Sequence, residues 1–474
     1  MKDFAKLISG KMPKVDYGDA RVISTKIESI MVKNGKVEEV EVSDSIGFGV
    51  RVLLNGGWGF ASSYKLNEES VDKVIEGAID IARASGLAKK EGIKLAPIAS
   101  AEGSYKTPYN EDPFEISLES KIEMLLELDK ILRKAKDVKI AESHLMFKQI
   151  NKVFTSTEGA FVEQEILVSG GRIKAIAIRD NELQFRSYGN YGSAGYEFIR
   201  NLKFQENAPR VRDDVCKLLS AEPCPSGKQD IIINDDQMVL QVHESIGHAV
   251  ELDRVFGTEA SYAGTSFVNT EKLNKFKYGS EVVNVTADAT SPLGLGTFGW
   301  DDEGVPAQAT PIIRNGMFVG YLSSRETASV IGRESSGAMR ADGWNRIPLI
   351  RMTNVNLEPG DWKLEELIRD TKEGLFLQTN KSWSIDDMRE NFQFGVEFAR
   401  RIKNGKLCEV IKDATYTGYT PKFWSSCDAV CNKDFWKIHG VMNCGKGEPG
   451  QSMMVGHGTA PARFRNVQVG IFKK

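Results

Sequence analysis

A glutamate flanked by histidines stands in the run His243-Glu244-Ser245-Ile246-Gly247-His248, in a chain that has only 5 histidines. Neutral imidazoles are good ligands for an ion such as Zn²⁺, and a catalytic centre of that kind uses three protein ligands and keeps a fourth position for water. Binding to the ion brings the pKa of that water toward neutrality. A carboxylate beside the first ligand can take the water's proton and pass it to a leaving amine. The spacing departs from the better-known H-E-x-x-H helix. Four residues of α-helix turn through about 400° and leave two side chains about 40° apart, whereas five turn through about 500° and leave them about 140° apart. A regular helix would therefore splay His243 and His248 too widely to share an ion. A π-bulge restores a common face, and Gly247 is the residue best able to take up the distortion, so the spacing predicts an irregular helix. The plainer alternative is a core helix with two buried histidines, because Val239, Val242, Ile246 and Val250 form an apolar stripe on the same segment.

Two histidines leave such a centre one ligand short. Glu251, three residues after His248, shares a face with it, and Asp253 lies near but angularly offset. More distant candidates are Cys444, His439 and His457. Cys444 sits in the glycine-rich run Asn443-Cys444-Gly445-Lys446-Gly447. A turn beside positive charge favours a thiolate, which selects soft or borderline metals over Mg²⁺; the alternative is a free loop thiol. Cys427 and Cys431 have no second pair at zinc-ribbon spacing, and with Cys216, Cys224 and Cys408 they read as free thiols. His144 lies in a strand-rich region far upstream and reads as structural. No dinucleotide fingerprint in a βαβ setting and no phosphate-binding P-loop occurs.

Composition narrows the class. The chain has 474 residues, 27% charged and 41% hydrophobic, with net charge -3. That length suggests two or three domains. The balance gives no basic field for nucleic acid or anionic membrane; the local cations Arg400, Arg401, Lys403 and Lys406 read as a solvated face beside a turn. Six cysteines are too few for a disulfide framework. The N-terminal stretch lacks the apolar core of a signal peptide, and no run of 18 apolar residues occurs. The expectation is a cytoplasmic protein with reduced thiols.

The elements that must carry these residues follow from periodicity. Residues 19–33 and 37–54 read as strands joined at Asn34-Gly35, the strongest short hairpin signal, and Asn55-Gly56-Gly57 leads to a third strand. Val71, Val74, Ile75, Ala78, Ile79 and Ala82 mark one face of a helix, with Gly86 as its stop. A second helix over 117–134 has Ser117 as N-cap and Ile122, Leu125, Leu126 and Leu132 on its buried side. Residues 137–200 read as a strand meander with turns near 157–159, 170–171 and 190–192. A short helix opens at Pro209, and the turn-rich run 222–227 marks a boundary. The strand Asp230–Ile233 then feeds a helix capped by Asn234 or Asp235. From about 280 onward short strands dominate, with one helix near 363–373. The reading is α+β: an N-terminal α/β domain of hairpins and helices (1–220), then a β-rich C-terminal domain (221–474) carrying the metal-binding helix.

Beyond these local signals, the chain resembles the TldD/PmbA family, also called the modulator of DNA gyrase family, and within it the TldD-type metalloproteases. The likeness rests on GFGVRVLLNGGWGFASS, HESIGHAVELDR, GWDDEGVPAQ, RMTNVNLEPG, SWSID and CGKGEPGQSMMVGHG, in that order along most of the chain. The resemblance implies one Zn²⁺ per chain held by His243, His248 and Cys444, with Glu244 as general acid/base. It thereby favours Cys444 over Glu251 as third ligand. It also implies a dimer, either of two copies or with a PmbA-type paralogue lacking the ligands, acting on peptides or unfolded proteins. His457, in Val455-Gly456-His457-Gly458, departs from some members and is expected to contact substrate or an oxyanion. The alternative function is a non-catalytic peptide- or partner-binding regulator whose zinc is structural and closed by four protein ligands. A glutamate directly after the first histidine has no use in such a site.

Overall fold

The computed structural model describes residues 1–88 and 92–470. The fold is mixed α+β, and its sheets divide along the chain. Seven strands build the first sheet: β1 (Tyr17–Lys33), β2 (Lys36–Leu54), β3 (Gly57–Ser63), β4 (Glu102–Lys106), β5 (Val138–Ser156), β6 (Phe161–Arg179) and β7 (Glu182–Gly192). The order is β3-β2-β1-β5-β6-β4, with β7 also on β6. The turns Asn34-Gly35 (φ 49° and 76°) and Asn55-Gly56 (φ 52° and 75°) are left-handed at both positions, which two-residue hairpins require.

Helices cover one face of this sheet. They are α1 (Lys2–Lys11), α2 (Glu68–Ala88), α3 (Leu118–Leu132), the short α4 (Glu197–Asn201) and α5 (Phe204–Leu218). Val71, Val74, Ile75, Ala78 and Ala82 of α2 pack on Val22, Val50 and Val52. Leu125, Leu128 and Leu132 of α3 pack with α5 on Ile30, Leu145 and Phe147. Ser117 caps α3 through Ser120 N–H, as its position predicts. Ile122 and Leu126 are only half-buried, and Leu128 takes the central place.

Four local expectations are corrected. Helix α2 runs through Gly86 to Ala88; glycine suits position 86 because the helix presses on the β2–β3 turn, where a Cβ on Gly86 would lie 2.9 Å from the Asn55 carbonyl oxygen. Gly170-Gly171 makes no turn but lies inside β6, where a Cβ on Gly170 would meet the Tyr191 ring at 2.1 Å. Helix α5 opens at Phe204, and Pro209 falls within it; burial of Phe204 and Ala208 outweighs the amide hydrogen bond that proline cannot make. The C-terminal strands are not all short, since Glu373–Ile385 and Asn391–Lys403 each have 13 residues.

Those two long strands pair with each other. With Gly227–Ile233, Ala462–Val469 and Thr415–Tyr419 they close into a five-stranded ring. Helix α6 (Asp235–Val242) leaves the end of Gly227–Ile233, and its Gln237 donates from Nε2 to Tyr416 Oη of the ring at 3.1 Å. A separate hairpin, Lys437–Lys446 with Gln451–Thr459, stands beside the ring.

The second face of the N-terminal sheet meets the C-terminal part through buried charge. Arg51 donates to Asp19 Oδ2 from Nη2 (2.6 Å) and to Glu303 Oε1 from Nη1 (3.4 Å). Lys152 donates to Asp302 Oδ1 at 2.5 Å, and Arg21 to the Arg346 carbonyl at 2.7 Å. Removing one partner of such a buried set strands the others. Arg51→Met should therefore destabilise the protein by about 3–5 kcal/mol, read as a lowered urea midpoint; an unchanged midpoint would contradict this account of the junction.

Candidate metal centre

The chain after α6 does not continue as α-helix. His243–Gly247 form a π turn in which the His248 N–H reaches back five residues to the His243 carbonyl, followed by a 3₁₀ turn over His248–Val250. The irregularity predicted from the spacing is present, and it sets the His243 and His248 rings edge to face, 4.8 Å apart at 88°. Its support is lateral. The Ser245 carbonyl accepts from Tyr278 Oη, and Ser245 Oγ accepts from Trp424 Nε1 and Gln241 Nε2, each at 2.9 Å. Gly247 has ordinary helical angles (φ -51°, ψ -58°), so the expected role as the flexible point is wrong. Glycine is needed because Met352 Sδ would lie 2.4 Å from a Cβ there.

Cys444, on the hairpin strand Lys437–Lys446, comes to the same place. The ligand atoms of His243, His248 and Cys444 lie within 4.8 Å of one another, with Cys444 Sγ 3.5 Å from His248 Nε2. It is the only such cluster of three found among the described residues. All three side chains are buried. Burial alone would raise the Cys444 thiol, but the two imidazoles outweigh it and hold it well below its ordinary value. The same pairing overcomes the burial penalty on His243 and raises it, while His248, dominated by burial, is driven well down. Thiolate and imidazolium thus favour one another across the cluster, where a metal ion can take the place of a proton.

Partners behind the rings fix which nitrogen faces forward. His457 is fully buried. Its Nδ1 donates to the Val355 carbonyl at 2.9 Å, so its Nε2 accepts from His243 Nδ1 at 2.8 Å. His243 Nε2 is thereby left toward the centre. Both nitrogens of His457 are thus engaged, and it stands behind His243, where the sequence suggests a substrate or oxyanion contact. His248 Nδ1 donates to Glu251 Oε2 at 2.9 Å, which places Glu251 behind His248. Glu251 is held by Lys446, fully buried, whose Nζ reaches Glu251 Oε1 at 3.3 Å and Asp253 Oδ1 at 2.8 Å. Arg254 pairs with Glu259 at 2.8 Å nearby. His439 is engaged elsewhere, with Asp235 Oδ2 at 2.9 Å, and His144 bonds Ser29 and Tyr191 in the N-terminal sheet. Burial pushes the Cys431 thiol up to about 12 and raises Cys427 as well; neither reads as a ligand.

Glu244 lies between the two histidines in sequence and is mostly buried. Its Oε2 accepts from Arg389 Nη1 at 2.9 Å. Nothing in the sequence tied Arg389 to Glu244: the two are 145 residues apart and Arg389 belongs to a polar loop. Lys446 was noted for its charge beside Cys444, but its reach to Glu251 was not foreseen.

Two imidazoles and a carboxylate on the π-bulged helix, with a thiol from the hairpin, thus form a cluster that could hold a metal ion. The chain belongs to the PmbA/TldD metallopeptidase family: its domain 1 matches over residues 18–82, its central domain over 111–219 and its C-terminal domain over 226–470. A metalloprotease of Methanocaldococcus jannaschii is 35% identical over 94% of both chains, and a TldD homologue of Haemophilus influenzae is 26% identical over 96% of this chain and 93% of its own. Among solved structures, a putative modulator of a DNA gyrase from Thermotoga maritima has a TM-score of 0.78 at 19% identity, covering 96% of both chains. TldE from Thermococcus kodakarensis has 0.73 at 18% identity, covering 99% of both. These two likenesses establish a shared fold.

Metal loading must displace the proton on the raised His243. Apparent Zn²⁺ affinity should therefore weaken about tenfold per pH unit as pH falls below that value, measured by competition with a chromophoric chelator; an affinity flat with pH would contradict it. Losing the partner behind a ligand costs about 10–100-fold in affinity, so His457→Ala should show that loss in the same titration.

Proposed function

We propose that the chain is a zinc-dependent peptidase acting on unfolded peptides or small proteins. The observation that supports this reading most is the division of labour around the cluster. His243, His248 and Cys444 can supply three ligands, while the two nearest candidates for a fourth, Glu251 and His457, are committed behind the histidines. A closed structural zinc would take four protein ligands, and no fourth is placed among the described residues. The N,N,S donor set suits Zn²⁺. When bound there, the ion would acidify a water and polarise a carbonyl.

Glu244 is the proton carrier in this reading. It takes the proton of the attacking water and delivers it to the leaving amine nitrogen. Burial of the whole group keeps bulk water from competing for these bonds. An extended substrate can be held by strand addition, and among the described residues the stretch Val441–Lys446, which contains Cys444, pairs with one strand. We further assign the working unit as a dimer, of two copies or with a PmbA-type paralogue, in the cytoplasm. The six free cysteines agree with a reducing compartment. No described helix is long and apolar enough to cross a membrane.

Glu244→Gln should keep its zinc and lose about 10²–10⁴-fold in kcat, followed by digestion of an unstructured protein alongside metal analysis. Unchanged hydrolysis in that variant would sink the assignment of Glu244. Zinc at one per chain with no hydrolysis by wild type would instead favour a requirement for a partner subunit.

A further inference from the structure

Arg389 is placed where ordinary loop residues are not. It follows the Asp386-Asp387-Met388 turn and has φ 65°, a left-handed backbone that costs a bulky residue energy and is retained where surroundings over-determine it, often at functional sites. The surroundings here do so. Arg389 N–H donates to the Asp386 carbonyl at 2.9 Å, and Thr420 Oγ1 donates to the Arg389 carbonyl at 2.9 Å. Asp386 also takes the N–H groups of Glu390 and Asn391. The strained backbone aims one guanidinium at Glu244.

That guanidinium is under-used. Its Nη1 bonds Glu244 Oε2 at 2.9 Å, its Nη2 makes only a 3.5 Å contact with the Ala263 carbonyl, and its Nε is buried with no partner. Arg254, a second buried arginine nearby, also leaves its Nε without a hydrogen-bond partner, but both its terminal nitrogens are well engaged, by Glu259 at 2.8 Å and by the Ala263 carbonyl at 2.6 Å. Holding two cations this close is unfavourable, and the Nη2 of Arg389 is left with one long contact beside Glu244. Among the described residues the hydrogen bond to Glu244 goes to Oε2, from Arg389, and leaves Oε1 for the proton-transfer role proposed above.

We propose that Arg389 is a further catalytic residue, whose guanidinium binds the oxyanion developing from the scissile carbonyl while it fixes the orientation of Glu244. The proposal rests on the peptidase reading above. Water oxygen forms a bond to the carbonyl carbon, the C=O π pair moves onto the carbonyl oxygen, and Glu244 takes the water proton. The oxyanion then returns its pair as the C–N bond breaks, and the amine nitrogen takes the proton from Glu244. Charge appears on the carbonyl oxygen only between these events, so donors held ready beside Glu244 favour the transition state over the substrate.

The test compares the zinc-loaded wild-type chain with Arg389→Ala and Arg389→Lys on one peptide made with a free C-terminus and with an amidated one. Removing an oxyanion donor should lower kcat by about 10²–10³-fold equally on both peptides, with KM little changed and zinc content intact. A loss confined to the free-carboxylate peptide would overturn the proposal, because Arg389 would then anchor the substrate terminus. An unchanged kcat would overturn it too. The wild-type rate measured alongside tests the peptidase reading by itself. A second measurement needs no turnover: calorimetric binding of a phosphonate analogue of the same peptide, whose tetrahedral anion mimics the oxyanion. Arg389→Ala should weaken the phosphonate and leave the parent peptide unaffected; equal weakening of both, or of neither, overturns the proposal.

Discussion

Two ligands five residues apart on one helix can face one ion only if the helix opens by a residue, and much of the C-terminal architecture serves that opening. A π turn displaces backbone groups from the regular ladder, and each displaced group must find a partner in a dry interior. Here the Ser245 carbonyl finds Tyr278, and the Ser245 hydroxyl finds Gln241 and Trp424. Tyr278 and Trp424 come from distant parts of the chain and are buried in the same core as Val242 and Ile246. Met352 closes on Gly247 from the other side. The bulge is thus a property of the assembled domain, which sets the angle between His243 and His248.

A second constraint is electrostatic. Bringing a thiol, two imidazoles and a carboxylate into a buried space is costly unless each is directed and balanced. The chain balances the two histidines differently. His243 is backed by a neutral imidazole that ends on a carbonyl, and His248 by a carboxylate tied to Lys446. Lys446 lies two residues from Cys444, so the ion pair that orients His248 through Glu251 also docks the strand that brings Cys444. Burial pushes Glu259 up to about 7, which eases the excess of negative charge around Lys446 and Arg254. The metal centre and its hairpin therefore form one electrostatic unit.

The parts legible in the sequence are those decided locally. The hairpin at Asn34-Gly35, the α2 and α3 stripes and the helix irregularity at 243–248 all follow from spacing and turn chemistry. Glycines were misread where their cause is a neighbour and not a turn: Gly86, Gly170 and Gly247 are each required by an atom far away in sequence. The family resemblance supplied Cys444 as the favoured third ligand, which spacing alone had left open among Glu251, Asp253, His439 and His457. The roles of Glu251 and His457 behind the ligands, and the reach of Arg389 to Glu244, depend on long-range packing for which a single sequence carries no periodic signal.

The account turns on which atoms surround the metal ion. X-ray absorption at the zinc edge of the loaded chain measures this directly. Two nitrogens, one sulfur at about 2.3 Å and one exchangeable oxygen are the result expected if His243, His248 and Cys444 hold the ion and leave a position for water. A shell without sulfur, or one filled by four protein donors, would contradict it.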